Sequence, residues 1–96
     1  MQAWIQEELA KYDLKTVYID FSVHTLIDKN LKGEDLHRAV ETIRTGRVVE
    51  DKSNKEKGTV GFRLYFGKSN VTYTVIAGLH GNFLRIVTLW KESGRV

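Results

Sequence analysis

The chain of 96 residues is 42% hydrophobic and 28% charged, a composition typical of one globular domain rather than of a disordered segment. It has no cysteine, which excludes disulfides and thiolate chemistry, and no apolar stretch approaches the roughly 18 residues of a membrane-spanning helix. Residues 1–51 carry seven Lys and Arg against ten Asp and Glu, whereas residues 52–96 carry eight against two. These features predict a cytoplasmic domain whose second half forms either a face that attracts polyanions or an ordinary lysine-rich surface.

The first half of the chain has the apolar spacing of helices. Residues 2–12 predict an N-terminal helix, and a short β-branched strand over residues 16–19 follows it. Ser22 is suited to cap the next helix, because its hydroxyl can accept a hydrogen bond from the first turn. Gly46 is expected in the left-handed conformation just past a third helix. The helical stripes after Ser22 are Val23, Leu26, Ile27 and Leu31, then Leu36, Ala39, Val40 and Ile43.

From Arg47 onward the period changes to the two-residue alternation of strands. Strands are predicted over residues 47–50, 59–66, 71–77 and 83–90, with Phe62 and Leu64 on a buried face. Residues 52–58 have no apolar side chain and are predicted to be a mobile loop. The fold class predicted is therefore α+β: one domain over residues 1–96, with 1–13 an extra N-terminal helix. Its helices are expected to pack on one face of an antiparallel sheet of about four strands.

Candidate functional side chains occur in both halves. His24 lies in the first turn of its predicted helix and could act as an acid or base near neutral pH, or simply point into solvent. Arg63 and Tyr65 share the polar face of one strand. Arg85 interrupts an apolar strand, which is costly unless the guanidinium is paired or hydrated. It is expected either to bind phosphate or to pair with an acidic helix residue, with Thr88 on the opposite face from it.

Several short motifs resemble the family called domain of unknown function 4258. They are Ser22-Val23-His24 after a strand, a helix ending in Thr45-Gly46, and the final strand Arg85-Ile86-Val87-Thr88-Leu89-Trp90. That family is grouped with the barnase–EndoU–colicin–RelE fold, which includes RelE/ParE-like toxins and ribonucleases. In this resemblance His24 matches the family histidine and Thr88 its final-strand threonine, while Arg63 lies where family members often place a basic residue. Asp28-Lys29-Asn30-Leu31-Lys32-Gly33 stands where the family usually has Arg-Met and Arg-Gly pairs.

The resemblance implies a toxin-like, metal-independent ribonuclease or RNA-interacting domain that uses no cofactor. His24 would then be the acid or base, Arg63 and Arg85 the phosphate ligands, and Tyr65 a hydrogen-bonding or stacking partner. The alternatives are a non-catalytic module that binds RNA or protein, and a small dimerising domain. Candidate partners are RNA or a ribosome, an antitoxin-like protein, and a second copy of the chain; a membrane is not expected.

Overall fold

A computed structural model describes residues 1–96 as three helices and five strands in the predicted order. In chain order the elements are α1 (Ala3–Leu9), β1 (Tyr18–Phe21), α2 (Val23–Asp28), α3 (Gly33–Thr45), β2 (Arg47–Asn54), β3 (Thr59–Phe66), β4 (Val71–Leu79) and β5 (Phe83–Ser93). None of the helices is long and apolar enough to cross a membrane.

The five strands form one mixed sheet in the order β1-β5-β4-β3-β2. Strands β2 to β5 are antiparallel neighbours, as the short turns between them predict. Strand β1 pairs in parallel with β5, with Tyr18 opposite Phe83 and Phe21 opposite Ile86. The sheet therefore has one strand more than the predicted four or so, and one parallel pair. A pairing between two strands that lie far apart in the sequence leaves no local signal.

The core lies between the helices and one face of this sheet. Ile5 of α1 and Ala39 and Ile43 of α3 are fully buried against it. Phe62 is buried as predicted, whereas Leu64 on the same face is only partly covered. The sheet residues of the core are Val60, Phe62, Tyr73, Val75, Ala77, Leu84, Ile86 and Leu89. The opposite face carries no helix, and it is called the helix-free face below.

Helix α2 departs from its predicted packing. Ser22 caps it as predicted, since its Oγ accepts a hydrogen bond from the Thr25 N–H at 3.1 Å. The helix ends at Asp28, however, and Val23 and Ile27 are 69% and 71% exposed. Thr25 points inward instead and donates to the carbonyl of Val87 at 2.7 Å. The apolar spacing therefore predicted the helix correctly, although it does not identify which side of the helix packs against the rest of the protein.

Two local predictions around β2 were wrong. The strand continues through Lys52 to Asn54, so the turn that joins it to β3 covers only residues 55–58. Gly46 is extended (φ −82°, ψ −173°) rather than left-handed. Glycine is required there for another reason: a Cβ would clash with the carbonyl oxygens of Thr42 and Arg63. The chain can turn from α3 into the sheet edge only because this position has no side chain.

Because of a bulge in β5, Arg85 and Thr88 do not lie on opposite faces of the sheet as predicted. Thr88 lies opposite Ile76 and Ile86 opposite Ala77, so Val87 has no partner in β4. One extra residue inverts the alternation of side chains along a strand. Arg85 and Thr88 therefore lie on the same helix-free face, not on opposite faces.

Candidate nucleic-acid interface

His24 lies outside the sheet face that carries the other predicted site residues. Its side chain is 80% exposed, and its Nε2 lies 3.0 Å from Oδ2 of Asp28, one turn further along α2. Helix α2 packs beside β5, whereas Arg63 is on β3, two strands away. Since neighbouring strands are about 4.8 Å apart, the two residues are separated by roughly 10 Å or more of sheet. The structure therefore does not bring His24 to Arg63, one of the two phosphate ligands predicted for it.

Arg85 forms an ion pair with a residue of the neighbouring strand. Its Nε and Nη2 donate to the two carboxylate oxygens of Asp20 at 2.9 and 3.0 Å, the bidentate geometry that binds carboxylates most strongly. These hydrogen bonds lower the pKa of Asp20 and raise the pKa of Arg85. Asp20 lies directly opposite Arg85 in the β1–β5 register. The pair thus neutralises an otherwise costly strand arginine, and its partner comes from a strand rather than from a helix.

Arg63 has no carboxylate partner. Its Nε donates to Oγ1 of Thr74 at 2.9 Å, and no acidic group lies within ion-pair distance of its guanidinium. Directly opposite it, on the neighbouring strand, is Arg47, which is exposed and likewise unpaired. Like charges at opposed positions of a sheet destabilise it. Two adjacent arginines without a counter-charge therefore form a local centre of positive potential that an anion would relieve.

Aromatic rings and two further cations complete this part of the helix-free face. The Arg95 guanidinium lies 4.4 Å from the centre of the Tyr65 ring, and Lys52 Nζ lies 5.8 Å from the centre of the Trp90 ring. Trp90 is opposite Thr74, the residue that Arg63 contacts. We call this set the basic face: Arg47, Lys52, Arg63, Tyr65, Trp90 and Arg95.

Thr88 borders the basic face at a groove of about 360 Å³. Lys52, Lys57 and Thr59 of the β2–β3 hairpin and Ile76 of β4 also line this groove. Two carboxylates counter the cations in this area: Asp51 at the groove, and Glu92, which accepts a hydrogen bond from Nε1 of Trp90 at 3.1 Å. The cations still outnumber them. The sheet thus brings Arg63, Tyr65 and Thr88 to one surface, with Arg85 at its far end and His24 outside it.

Sequence reasoning missed Arg47, Lys52 and Arg95 as members of this surface. The alternation in β3 was enough to place Arg63 and Tyr65 on one polar face. The position of Arg47 depends on the β2–β3 register, and Lys52 reaches Trp90 through the irregularity between Val49 and Asn54. Arg95 lies beyond the last strand. Each of these placements depends on contacts between distant segments, which periodicity does not encode.

Comparison with models of protein families, with curated proteins and with solved structures finds no match to this chain. Only the chemistry of the basic face therefore indicates a function.

Proposed function

We propose that this protein is a cytoplasmic RNA-binding domain that holds single-stranded RNA on the basic face of its sheet without cleaving it. The observation that carries this proposal is the opposed, unpaired couple Arg47 and Arg63. Such a pair costs stability in the free protein, and a phosphate group placed between the guanidinium groups would remove that cost.

The neighbouring rings favour single strands as the ligand. Proteins that bind single-stranded nucleic acids combine a basic groove for the backbone with aromatic rings on which bases stack. Tyr65 and Trp90 provide rings beside the cations, although Arg95 and Lys52 lie over them in the free protein. A base that stacks on either ring would displace the cation toward the phosphates. Unstacked bases of RNA loops and ends are available for such contacts, whereas paired bases are not.

The reason for proposing binding without cleavage is that His24 is separated from Arg63 and that Asp20 holds Arg85. Cleavage of RNA by attack of the 2′-hydroxyl on the neighbouring phosphate needs a base for that hydroxyl, an acid for the leaving 5′-oxygen and a cation beside the phosphate. Here His24 is on α2, Arg63 is on β3 and Arg85 is held by Asp20. The relationship to RelE-like toxins is a further proposal, supported by the order of the motifs and by helices packed on one face of a sheet.

The test is binding of a labelled single-stranded RNA of about twelve nucleotides, measured by fluorescence anisotropy at low salt. We expect Arg47→Gln/Arg63→Gln to weaken binding roughly a hundredfold or more, since charged hydrogen bonds contribute about 1.5–3 kcal/mol each. The control is Lys11→Gln/Lys15→Gln, which removes the same charge from exposed positions between α1 and β1. Equal losses in both variants would contradict the proposal. Cleavage of the RNA that disappears in His24→Ala would restore the ribonuclease alternative.

A further inference from the structure

A second surface, which shares only Trp90 with the basic face, lies along the outer edge of β5. Strand β1 covers this edge only as far as Ile86, which lies opposite Phe21. Beyond that point β5 continues to Ser93 with β4 on one side and no strand on the other. The second half of β5 is therefore a free sheet edge, a feature that proteins usually cover or blunt.

The hydrogen-bond register identifies which main-chain groups are free. Gly94 donates to the carbonyl of Asn70 at 2.7 Å, so in antiparallel alternation Trp90 and Glu92 also bond toward β4. Leu89 and Lys91 then direct their N–H and C=O groups away from β4, and neither takes part in the hydrogen bonds outside the strands. Unpaired main-chain groups on an open sheet edge are a template on which a further strand can pair.

A groove of about 300 Å³ runs along this edge. One wall is Leu89, Trp90 and Lys91, and the other is the segment between α2 and α3, residues 29–32. Lys29 and Lys32 on that wall are exposed and form no ion pair. Lys91 pairs with the buried Asp35, so the groove retains a net positive charge.

We propose that this groove binds a short extended acidic segment of a partner protein, which adds to β5 as a further strand. Its main chain would bond to Leu89 and Lys91, as in other cases of strand addition to an open edge. Side chains opposite Leu89 and Lys91 lie on the helix-covered face beside the lysines, whereas alternate ones lie beside Trp90. The segment that fits therefore alternates acidic residues with apolar ones. A second copy of this chain fits poorly, because pairing two β5 edges would bring two sets of these lysines together.

The experiment uses a fluorescein-labelled peptide of about seven residues in which Glu and Val alternate. We expect saturable binding that shifts the amide resonances of Leu89 and Lys91. Methylating alternate peptide amides, which removes main-chain donors, should weaken binding roughly tenfold. Lys29→Glu/Lys32→Glu should weaken it roughly fivefold, the scale of two exposed ion pairs. The control Lys15→Glu/Lys55→Glu has the same net charge and should bind as the wild type does.

Four results would overturn this inference. One is the absence of binding up to about 1 mM peptide, a concentration at which even weak strand addition is measurable. Another is equal binding of the methylated peptide, or amide shifts confined to the basic face. The last is concentration-dependent dimerisation through β5 in sedimentation, which would make a second copy the occupant of the edge. Circular dichroism of the lysine variants verifies that they are folded.

Discussion

Tyr73 and Asp35 connect the sheet to α3 through a hydrogen bond inside the core. The Tyr73 hydroxyl donates to Oδ1 of Asp35 at 2.5 Å, and both residues are buried. Asp35 also accepts hydrogen bonds from the Lys32 N–H and from Lys91 Nζ, both at 3.1 Å. Burial, followed by the bond to Asp35, raises the pKa of Tyr73 to about 12. The hydrogen bond from Tyr73 is the largest of the contacts that lower the pKa of Asp35.

This pair predicts a loss of stability in alkaline solution. The folded pKa of Tyr73 lies above the value of 10.0 for an exposed tyrosine, so the folded state holds the proton more tightly. Its contribution is complete below that value and is lost as the pH rises toward about 12. We expect Tyr73→Phe to lower the free energy of unfolding at neutral pH by about 1–3 kcal/mol, the scale for a hydrogen bond to a charged group. The measurement is urea unfolding of both proteins from neutral to alkaline pH.

The difference between the two proteins should shrink as the pH approaches that range, because phenylalanine has no proton to lose. A difference that stays constant across the alkaline range would show that the proton on Tyr73 does not contribute to stability.

The sequence predicted individual site residues unevenly, and Arg63 and Arg85 show why. The polar face of β3 follows from local alternation, so Arg63 and Tyr65 were placed together correctly. Arg85 was recognised as costly unless paired, yet its partner Asp20 lies in the parallel strand at the sheet edge. No local pattern encodes that pairing. The bulge at Val87 likewise depends on the pairing of β5 with β4. Arg85 and Thr88 were therefore predicted on opposite faces of the sheet, whereas they lie on the same face.

At the scale of elements, β2 is held to β3 beyond its regular pairing by a side chain. The β2–β3 register shifts between Val49 and Asn54, where regular pairing is interrupted. Ser53 bridges the interruption: its Oγ accepts from the Gly61 N–H at 3.0 Å and donates to the Val49 carbonyl at 2.9 Å. Residues 52–58 were predicted to form a loop because they are polar. Their composition did not reveal the continued strand, because a single hydroxyl is enough to replace the missing strand pairing.

Ser53→Ala should therefore loosen this hairpin locally. Gly61 is buried, and without Ser53 its N–H would have no partner. We expect its amide to exchange roughly tenfold faster, which corresponds to about 1.4 kcal/mol for the lost hydrogen bond. Hydrogen exchange followed by NMR measures this directly. The matched control is Ser69→Ala, whose hydroxyl accepts from Arg38 in the β3–β4 turn and should leave Gly61 unaffected. Unchanged exchange at Gly61 in Ser53→Ala would mean that the bulge holds without the hydroxyl.

At the scale of the whole molecule, charge is divided between the two sides of the sheet. The acidic first half of the sequence supplies all three helices, and most of the basic second half forms the sheet. Arg47, Lys52, Arg63 and Arg95 project from the helix-free face without an ion pair, while Arg38 and Arg85 are engaged with carboxylates. Only the unpaired cations can neutralise phosphates without first giving up a protein partner.

This division predicts how the proposed RNA binding depends on salt. Each phosphate neutralised on a single strand contributes about 0.7 to the slope of log affinity against log salt, so four free cations give a slope of about −3. Arg63→Gln should flatten that slope by roughly 0.7, because it removes one contact. Arg85→Gln should leave the slope unchanged, since Asp20 already holds that guanidinium at 2.9 and 3.0 Å. Anisotropy titrations over a range of salt concentrations supply the three slopes. An Arg85 variant with the flatter slope would show that RNA displaces Asp20 and that the interface extends to β1.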